Sequence, residues 1–300
     1  MNDLQIDCFH EFSLKDRHTI EPLLVASNPQ LCDYNFANLY CWGEIYSIKW
    51  NLYKNRLLIY DGHDDYLTMP VGEPFALEEF VEMSDALQKQ GKSGNYFLVA
   101  LDVIERNRAD FEHFFDLKID ENLGDYIYNL KKLYELKGSK LQKKKNLVSQ
   151  FRRNNPDYRV ERLERKFFDE CLRLAEIWCR FSENCNDPGV LEENRALRRA
   201  LQSYEDLGLD GLTMFAGDKI VAFSIFDRLN VNTADIHFEK TDMEIKGCSQ
   251  AINWKTAEYL LNNYEFINRE QDMGVEGLRQ AKRSYCPEFL ATSYSLIRKK

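Results

Sequence analysis

From Phe266 to Pro287 the sequence runs Phe-Ile-Asn-Arg-Glu-Gln-Asp-Met-Gly-Val-Glu-Gly-Leu-Arg-Gln-Ala-Lys-Arg-Ser-Tyr-Cys-Pro, an apolar strand followed by a dense polar run and then a helical pattern. Polar groups held against a buried strand end are costly unless they pair with one another or with a ligand. Two readings stand side by side. In one, Asn268, Arg269, Glu270, Gln271, Asp272, Arg279 and Lys282 form a substrate-binding wall, in which the cations hold a carboxylate or phosphate and the acids hold an amine. In the other they form an internal salt-bridge network. Upstream, Glu239 follows Ile236, His237 and Phe238. It is either a general base for attack by an amine, its pKa raised in a cleft wall, or a sheet-surface charge paired with Lys240 or Arg228.

A second chemical feature lies just beyond. The stretch Lys246-Gly247-Cys248-Ser249-Gln250 leads a strand through a glycine turn into a helix. A helix start of this kind presents unpaired backbone N–H groups and a positive dipole end, which together make a ready anion cradle. The simpler reading is that Gly247 only lets the chain turn. Cys248 and Cys286 flank the region without a histidine partner for nucleophilic work, so both read as packing residues.

These side chains need a sheet to hold them. Apolar alternation and turn residues predict strands at Ile45–Tyr53, Asn55–Asp61 and Tyr66–Val71, a helix at Leu77–Gln90 stopped by Gly91, a strand at Tyr96–Leu101, a helix near Glu105–Phe115 and a strand at Asp125–Leu130. The second half repeats the order. A hairpin spans Gly211–Arg228 and turns at Gly217-Asp218; the strand Ala234–Lys240, the helix Ser249–Asn262, the strand Tyr264–Asn268, the helix Val275–Ser284 and the strand Ala291–Ile297 follow. Ahead of it come helices at Ser139–Asn154, Phe167–Asn184 and Leu191–Leu207, with a short strand at Tyr158–Leu163. The expectation is a mixed α/β architecture (α+β mixed sheet) duplicated within one chain, with domains at 1–135 and 136–300.

Composition excludes several classes. At 300 residues, with 44% hydrophobic and 30% charged residues, the chain is folded and long enough for two cores. No window approaches a spanning helix, so membrane insertion is not expected. Eight scattered cysteines without CxxC pairs read as reduced thiols of a cytoplasmic protein. With five histidines and none at ligand spacing to a cysteine pair, no metal site is expected. Between Lys131 and Arg153, nine lysines and arginines face Glu135 alone, a local charge of +8 on a chain of net charge −9. The Lys140–Arg153 helix, apolar at Leu141, Leu147, Val148 and Phe151, offers a basic face suited to RNA phosphates or to plain solvation.

The element order of the second half resembles the GNAT acyltransferase fold, a splayed mixed sheet whose donor cleft opens between its fourth and fifth strands. On that resemblance these strands are Lys219–Arg228 and Ala234–Lys240, and Glu244, Gly247 and Ser249 fall on a pyrophosphate-loop pattern that they match in part. The equivalent loop of the first half, Val71-Gly72-Glu73-Pro74-Phe75, loses an N–H donor at Pro74, so the first domain is expected to bind no donor. The run Asn268-Arg269-Glu270-Gln271-Asp272, with Gly274, Gly277-Leu278-Arg279, Ala281-Lys282, Ser284-Tyr285 and the His237–Lys240 strand end, is similar to bacterial proteins related to the C-terminal domain of phosphatidylglycerol lysyltransferases. This likeness runs from about Pro29 to Leu296. It implies tandem GNAT-like acyltransferase domains and a tyrosine, Tyr285, that protonates the departing thiolate; a half-buried helix cap is the other reading of that tyrosine. The donor expected is acyl-CoA, with Ile236, His237, Phe238, Lys246, Gly247, Cys248, Ser249 and Gln250 as its binding residues. The acceptor expected is a small-molecule or peptide amine, the longer lysyltransferases alone carrying membrane helices. Aminoacyl-tRNA, docked on the Lys140–Arg153 helix, is the alternative donor, and a non-catalytic ligand-binding relic is the third reading.

Overall fold

A computed structural model describes residues 4–181 and 187–299. The chain divides into two compact units, one made of residues up to 124 together with those from 291 onward, the other of Asp125–Leu290.

The first unit is built on β1 (His10–Glu11), β2 (Ile48–Tyr53), β3 (Arg56–Asp61), β4 (Tyr66–Thr68), β5 (Asn95–Ala100), β6 (Phe115–Ile119) and the chain's last strand, Ser293–Arg298. Their order in the sheet is β1-β2-β3-β4-β5, then the last strand, then β6. Neighbours are antiparallel except β4 and β5, which run parallel. Leu58, Leu67, Phe80, Tyr96, Phe115 and Leu296 pack its core. The helix Leu77–Gln88 starts without a vacant anion cradle, because the Glu79 carboxylate accepts from the Ala76 amide at 3.1 Å and the Arg56 guanidinium fills the preceding loop, donating to the carbonyls of Glu73 and Pro74.

The second unit holds β7 (Asp125–Asn129), β8 (Arg159–Arg162), β9 (Asp210–Ala216), β10 (Lys219–Arg228), β11 (Thr233–Thr241), β12 (Phe266–Asn268) and β13 (Phe289–Ala291), in the order β13-β7-β12-β11-β10-β9-β8. Antiparallel ladders join β8 through β11, and β11 runs parallel to β12. From β1 to the last strand in one sheet and from β8 to β7 in the other, order and direction follow one pattern, and the fold is two mixed sheets flanked by helices.

Three expectations about the strands need revision. The sixth place in the first sheet is filled by the chain's last strand and the matching place in the second sheet by β7; chain order had assigned each to the other half, and the second unit starts at Asp125 instead of 136. The proposed donor cleft between Lys219–Arg228 and Ala234–Lys240 does not exist, because β10 and β11 are paired from Ala222↔Thr241 to Arg228↔Ala234. Instead the sheet opens one strand later. The β11–β12 ladder covers only Thr233–Asp235 against Phe266–Asn268, after which β11 continues to Thr241 while β12 has ended.

The predicted helix Phe167–Asn184 is observed as Phe168–Phe181, and its last residues, like Cys185, lie outside the described residues. Among the described residues, no helix is long and apolar enough to cross a membrane.

Candidate active site in the second unit

The wall where β11 leaves β12 owes its side-chain arrangement to a β-bulge. Ile225 faces Phe238 and Phe226 faces Ile236, so His237 is the extra residue on β11. A bulge interrupts the two-residue alternation of a strand. Ala234 and Ile236 consequently join the core shared with the helix Cys248–Leu260, and Glu239 still reaches that helix, where the Asn253 amide partly offsets the effect of burial on its carboxyl.

Glu239 is no surface charge. Its side chain is 11% exposed and its Oε1 accepts from Arg269 Nη2 at 2.9 Å, whereas Lys240 pairs with Glu193 at 2.7 Å. Burial raises the Glu239 carboxyl, with Arg269, Asn253 and Lys282 pulling the other way. Its second oxygen, Oε2, is buried and has no hydrogen-bond partner; the same holds for Asn253 Oδ1 and the Tyr285 hydroxyl. Burial pushes the Tyr285 phenol up to about 12, against the lowering effects of Arg269 and Gln250. Two cations lie over its ring, Lys144 at 4.1 Å and Arg269 at 5.4 Å from the centroid. Lys144, half-buried, is held below the usual lysine range by burial and by its neighbours Arg269 and Lys143.

The polar run after β12 is engaged largely with itself. Asp272, fully buried, accepts from Tyr126 Oη at 2.6 Å, from Arg279 Nε and Nη2 at 2.9 and 2.8 Å, and from the Gly274 amide at 2.9 Å. These bonds hold its carboxyl well below the usual range, the Arg279 bond most of all. Lys282 Nζ donates to the carbonyls of Arg269, Glu270 and Gln271. Asn268 donates to Asp125 at 2.6 Å and accepts from the Glu270 amide. Of the seven residues expected to bind substrate, Arg269 reaches Glu239 and Tyr285, while Asp272, Arg279 and Lys282 bind the loop that carries them.

The donor-cradle residues lie where the sequence put them, with a different environment. Gly247 caps the helix with φ +85°, and a Cβ there would come within 2.4 Å of the Leu147 carbonyl oxygen, so the basic helix Gln142–Asn154 demands a glycine. In the preceding turn Asp242 is buried; it accepts from the Glu244 amide at 3.0 Å and pairs with Lys219 at 2.7 Å. Cys248 is buried and donates to the Val221 carbonyl, its thiol pushed up to about 12 by burial. Ile236 and Phe238 are core residues, Lys246 is exposed, and Ser249 and Gln250 are half-buried.

Sequence reasoning passed over Lys144, which looked like one more solvated lysine, and Asn253. The latter left a signal: Asn253 and Thr256 are polar positions in the helix stripe that otherwise buries Cys248, Ala251, Ile252, Ala257 and Leu260.

The sequence profile of the phosphatidylglycerol lysyltransferase C-terminal family matches residues 26–297. The chain belongs to this family. A crystal structure of a conserved Bacteroides thetaiotaomicron protein of unknown function is 32% identical, covers 97% of this chain and 99% of its own, and superposes with a TM-score of 0.91. The C-terminal domain of a putative lysylphosphatidylglycerol synthetase from Agrobacterium fabrum shares the fold at 14% identity, with a TM-score of 0.66 over 96% of this chain and 92% of that one. An uncharacterised Mycoplasmoides gallisepticum protein is 27% identical over 177 residues, 59% of this chain and 56% of that protein's length.

Proposed function

We propose that the second unit is an aminoacyltransferase that takes its acyl group from an aminoacyl-tRNA ester and holds the amino group of that acyl group beside Glu239. The observation that carries this reading is the set of three buried oxygens without partners, Glu239 Oε2, Asn253 Oδ1 and Tyr285 Oη, on one wall. Buried polar atoms are normally satisfied. Two of these are acceptors and the third can accept, so the missing partner is a donor-rich group, and an ammonium supplies three N–H bonds, one of them to the Glu239 oxygen that Arg269 does not reach. Lys144 and Arg269 beside Tyr285 supply the opposite charge, suited to the phosphate and ester end of a tRNA acceptor stem. The rest of the basic helix continues that potential outward.

Transfer from an ester breaks the bond to a ribose oxygen. The acceptor's amine nitrogen attacks the carbonyl carbon and sheds a proton, the tetrahedral intermediate collapses, and the leaving ribose oxygen takes a proton from the Tyr285 hydroxyl, which the shed proton restores. A thiolate, whose conjugate acid titrates near 8.5, leaves without one. The Tyr285 phenol, kept protonated by its burial, can supply the proton that an alkoxide needs. The acyl-CoA reading keeps one supporting observation, the glycine-capped helix start after β11, but there the Asp242 carboxylate occupies the turn that phosphate oxygens would need.

The test sets the donors against each other. A charged tRNA pool is expected to raise Tm in a salt-sensitive way and to donate radiolabelled aminoacyl groups, while CoA and acetyl-CoA leave Tm unchanged. A shift with CoA and none with tRNA overturns the proposal.

A further inference from the structure

Asp235 is 0% exposed, and neither of its carboxylate oxygens has a hydrogen-bond partner. A buried carboxylate without donors is costly and calls for either a proton or a cation. It does not stand alone. His237 Nδ1 lies 3.9 Å from Asp235 Oδ2 and 3.5 Å from Glu270 Oε1, and single donor atoms of all three residues lie within 4.8 Å of one another. Two donors each about 2.1 Å from one ion are about 3.0–4.2 Å apart for angles from 90° to 180°. Both separations fit a shared ion.

The other face of the imidazole is arranged to match. His237 Nε2 is 3.0 Å from Asp227 Oδ1, and both side chains are nearly buried. With Nε2–H donated to Asp227, the Nδ1 lone pair is directed at Asp235 and Glu270, which is the carboxylate–histidine arrangement that orients imidazole ligands of metals. The β-bulge supplies this geometry by placing His237 out of register next to Asp235. Asp227 and Asp235 face each other across β10 and β11, so carboxylates crowd the imidazole from both sides.

We propose that Asp235, His237 and Glu270 bind one divalent transition-metal cation of the zinc or manganese class, with Asp227 holding the imidazole in its binding tautomer. The donor set, one imidazole and two carboxylates, suits such ions and needs no cysteine, which is why a search for cysteine pairs does not find it. Its place explains its use. Asp235↔Asn268 is the last register pair before β11 and β12 part, so the ion staples the strand to the Glu270 loop and fixes Arg269 and Glu239 on either side of it. The ion is a positioning element that takes no part in the transfer.

The full chain, stripped with chelator, is titrated with ZnCl2 and separately with MnCl2, with MgCl2 as control, and read by calorimetry, melting and elemental analysis. The expected result is one tight equivalent of zinc or manganese, a Tm rise of several degrees at saturation, and neither of these with magnesium. Asp235→Asn and His237→Gln abolish the tight equivalent; Asp227→Asn weakens it about 10–100-fold. Asp235→Asn keeps the side-chain shape, so it gives the answer even where His237→Gln does not fold. No stoichiometric metal in the wild type, or equal binding by Asp235→Asn, overturns the proposal. Metal content and Tm are read without substrate, so failure of the transferase reading leaves this result intact, and the converse holds.

Discussion

Tyr285 and Asp272 are both buried, and their substitutions are expected to act in opposite ways. The Tyr285 hydroxyl has no partner, so Tyr285→Phe removes a desolvated polar group and leaves Tm unchanged or higher. Under the proposed chemistry the same change lowers kcat by about 100-fold or more with little change in KM for the donor, as expected for loss of a general acid; unaltered turnover removes Tyr285 from the mechanism. Asp272→Asn instead breaks a buried ion pair with Arg279 and a bond from Tyr126, and is expected to cost about 3–5 kcal/mol in urea denaturation. Asp61 provides the pH test. Burial raises its carboxyl despite bonds from the His63 and Asp64 amides. A folded pKa above the unfolded value means that its contribution is full below the unfolded pKa and is lost as pH rises through the folded one. Asp61→Asn is therefore expected to raise Tm at neutral pH and to lose that advantage at pH 4. At this scale the sequence drew attention to Glu239, Arg269 and Tyr285, which the fold brings together, because a polar run after a strand is conspicuous. It could not show that Lys282 would spend itself on three carbonyls, since pairing among neighbouring charges is decided by loop path and not by spacing.

Elements succeed or fail at their junctions, and two glycines make the point. Gly247→Ala must adopt φ +85° and set a Cβ within 2.4 Å of the Leu147 carbonyl; a loss of more than about 2 kcal/mol is expected, since the left-handed conformation alone costs about 1–2. Gly277, inside the helix Glu276–Arg283, has open space around its Cβ position, so Gly277→Ala is expected to gain about 0.5–1 kcal/mol. Equal melting of the two variants by urea denaturation sinks this account of Gly247. The glycine turn was legible, and so was the helix after it. The reason for the glycine was not, because it lies in a helix about a hundred positions upstream. The bulge at His237 was equally hidden: nothing in the alternation of Thr233–Thr241 marks one residue as extra, and with it the face of Glu239 stayed open.

On the scale of the whole chain, the repeat was legible and its closure was not. Hydrophobic periodicity locates strands but carries no information on partners that are far apart in sequence, so β7 and the last strand were each given to the neighbouring half. The exchange makes a sharp prediction about where the chain can be divided. β7 stands between β12 and β13, paired Phe266↔Asn129 through Asn268↔Ile127, with Tyr126, Ile127 and Tyr128 at most 2% exposed. A fragment of residues 136–290 lacks this strand, exposes the inner edge of β12, and loses Tyr126 from Asp272 and Asp125 from Asn268. A fragment of residues 125–290 retains all of them. The longer fragment is expected to melt cooperatively with a dispersed NMR spectrum, the shorter one to aggregate or melt without a transition. Cooperative folding of 136–290 means that β7 is not integral to the second sheet, and the candidate site, whose Asp272 and Asn268 both lean on β7, then has to be rebuilt without it.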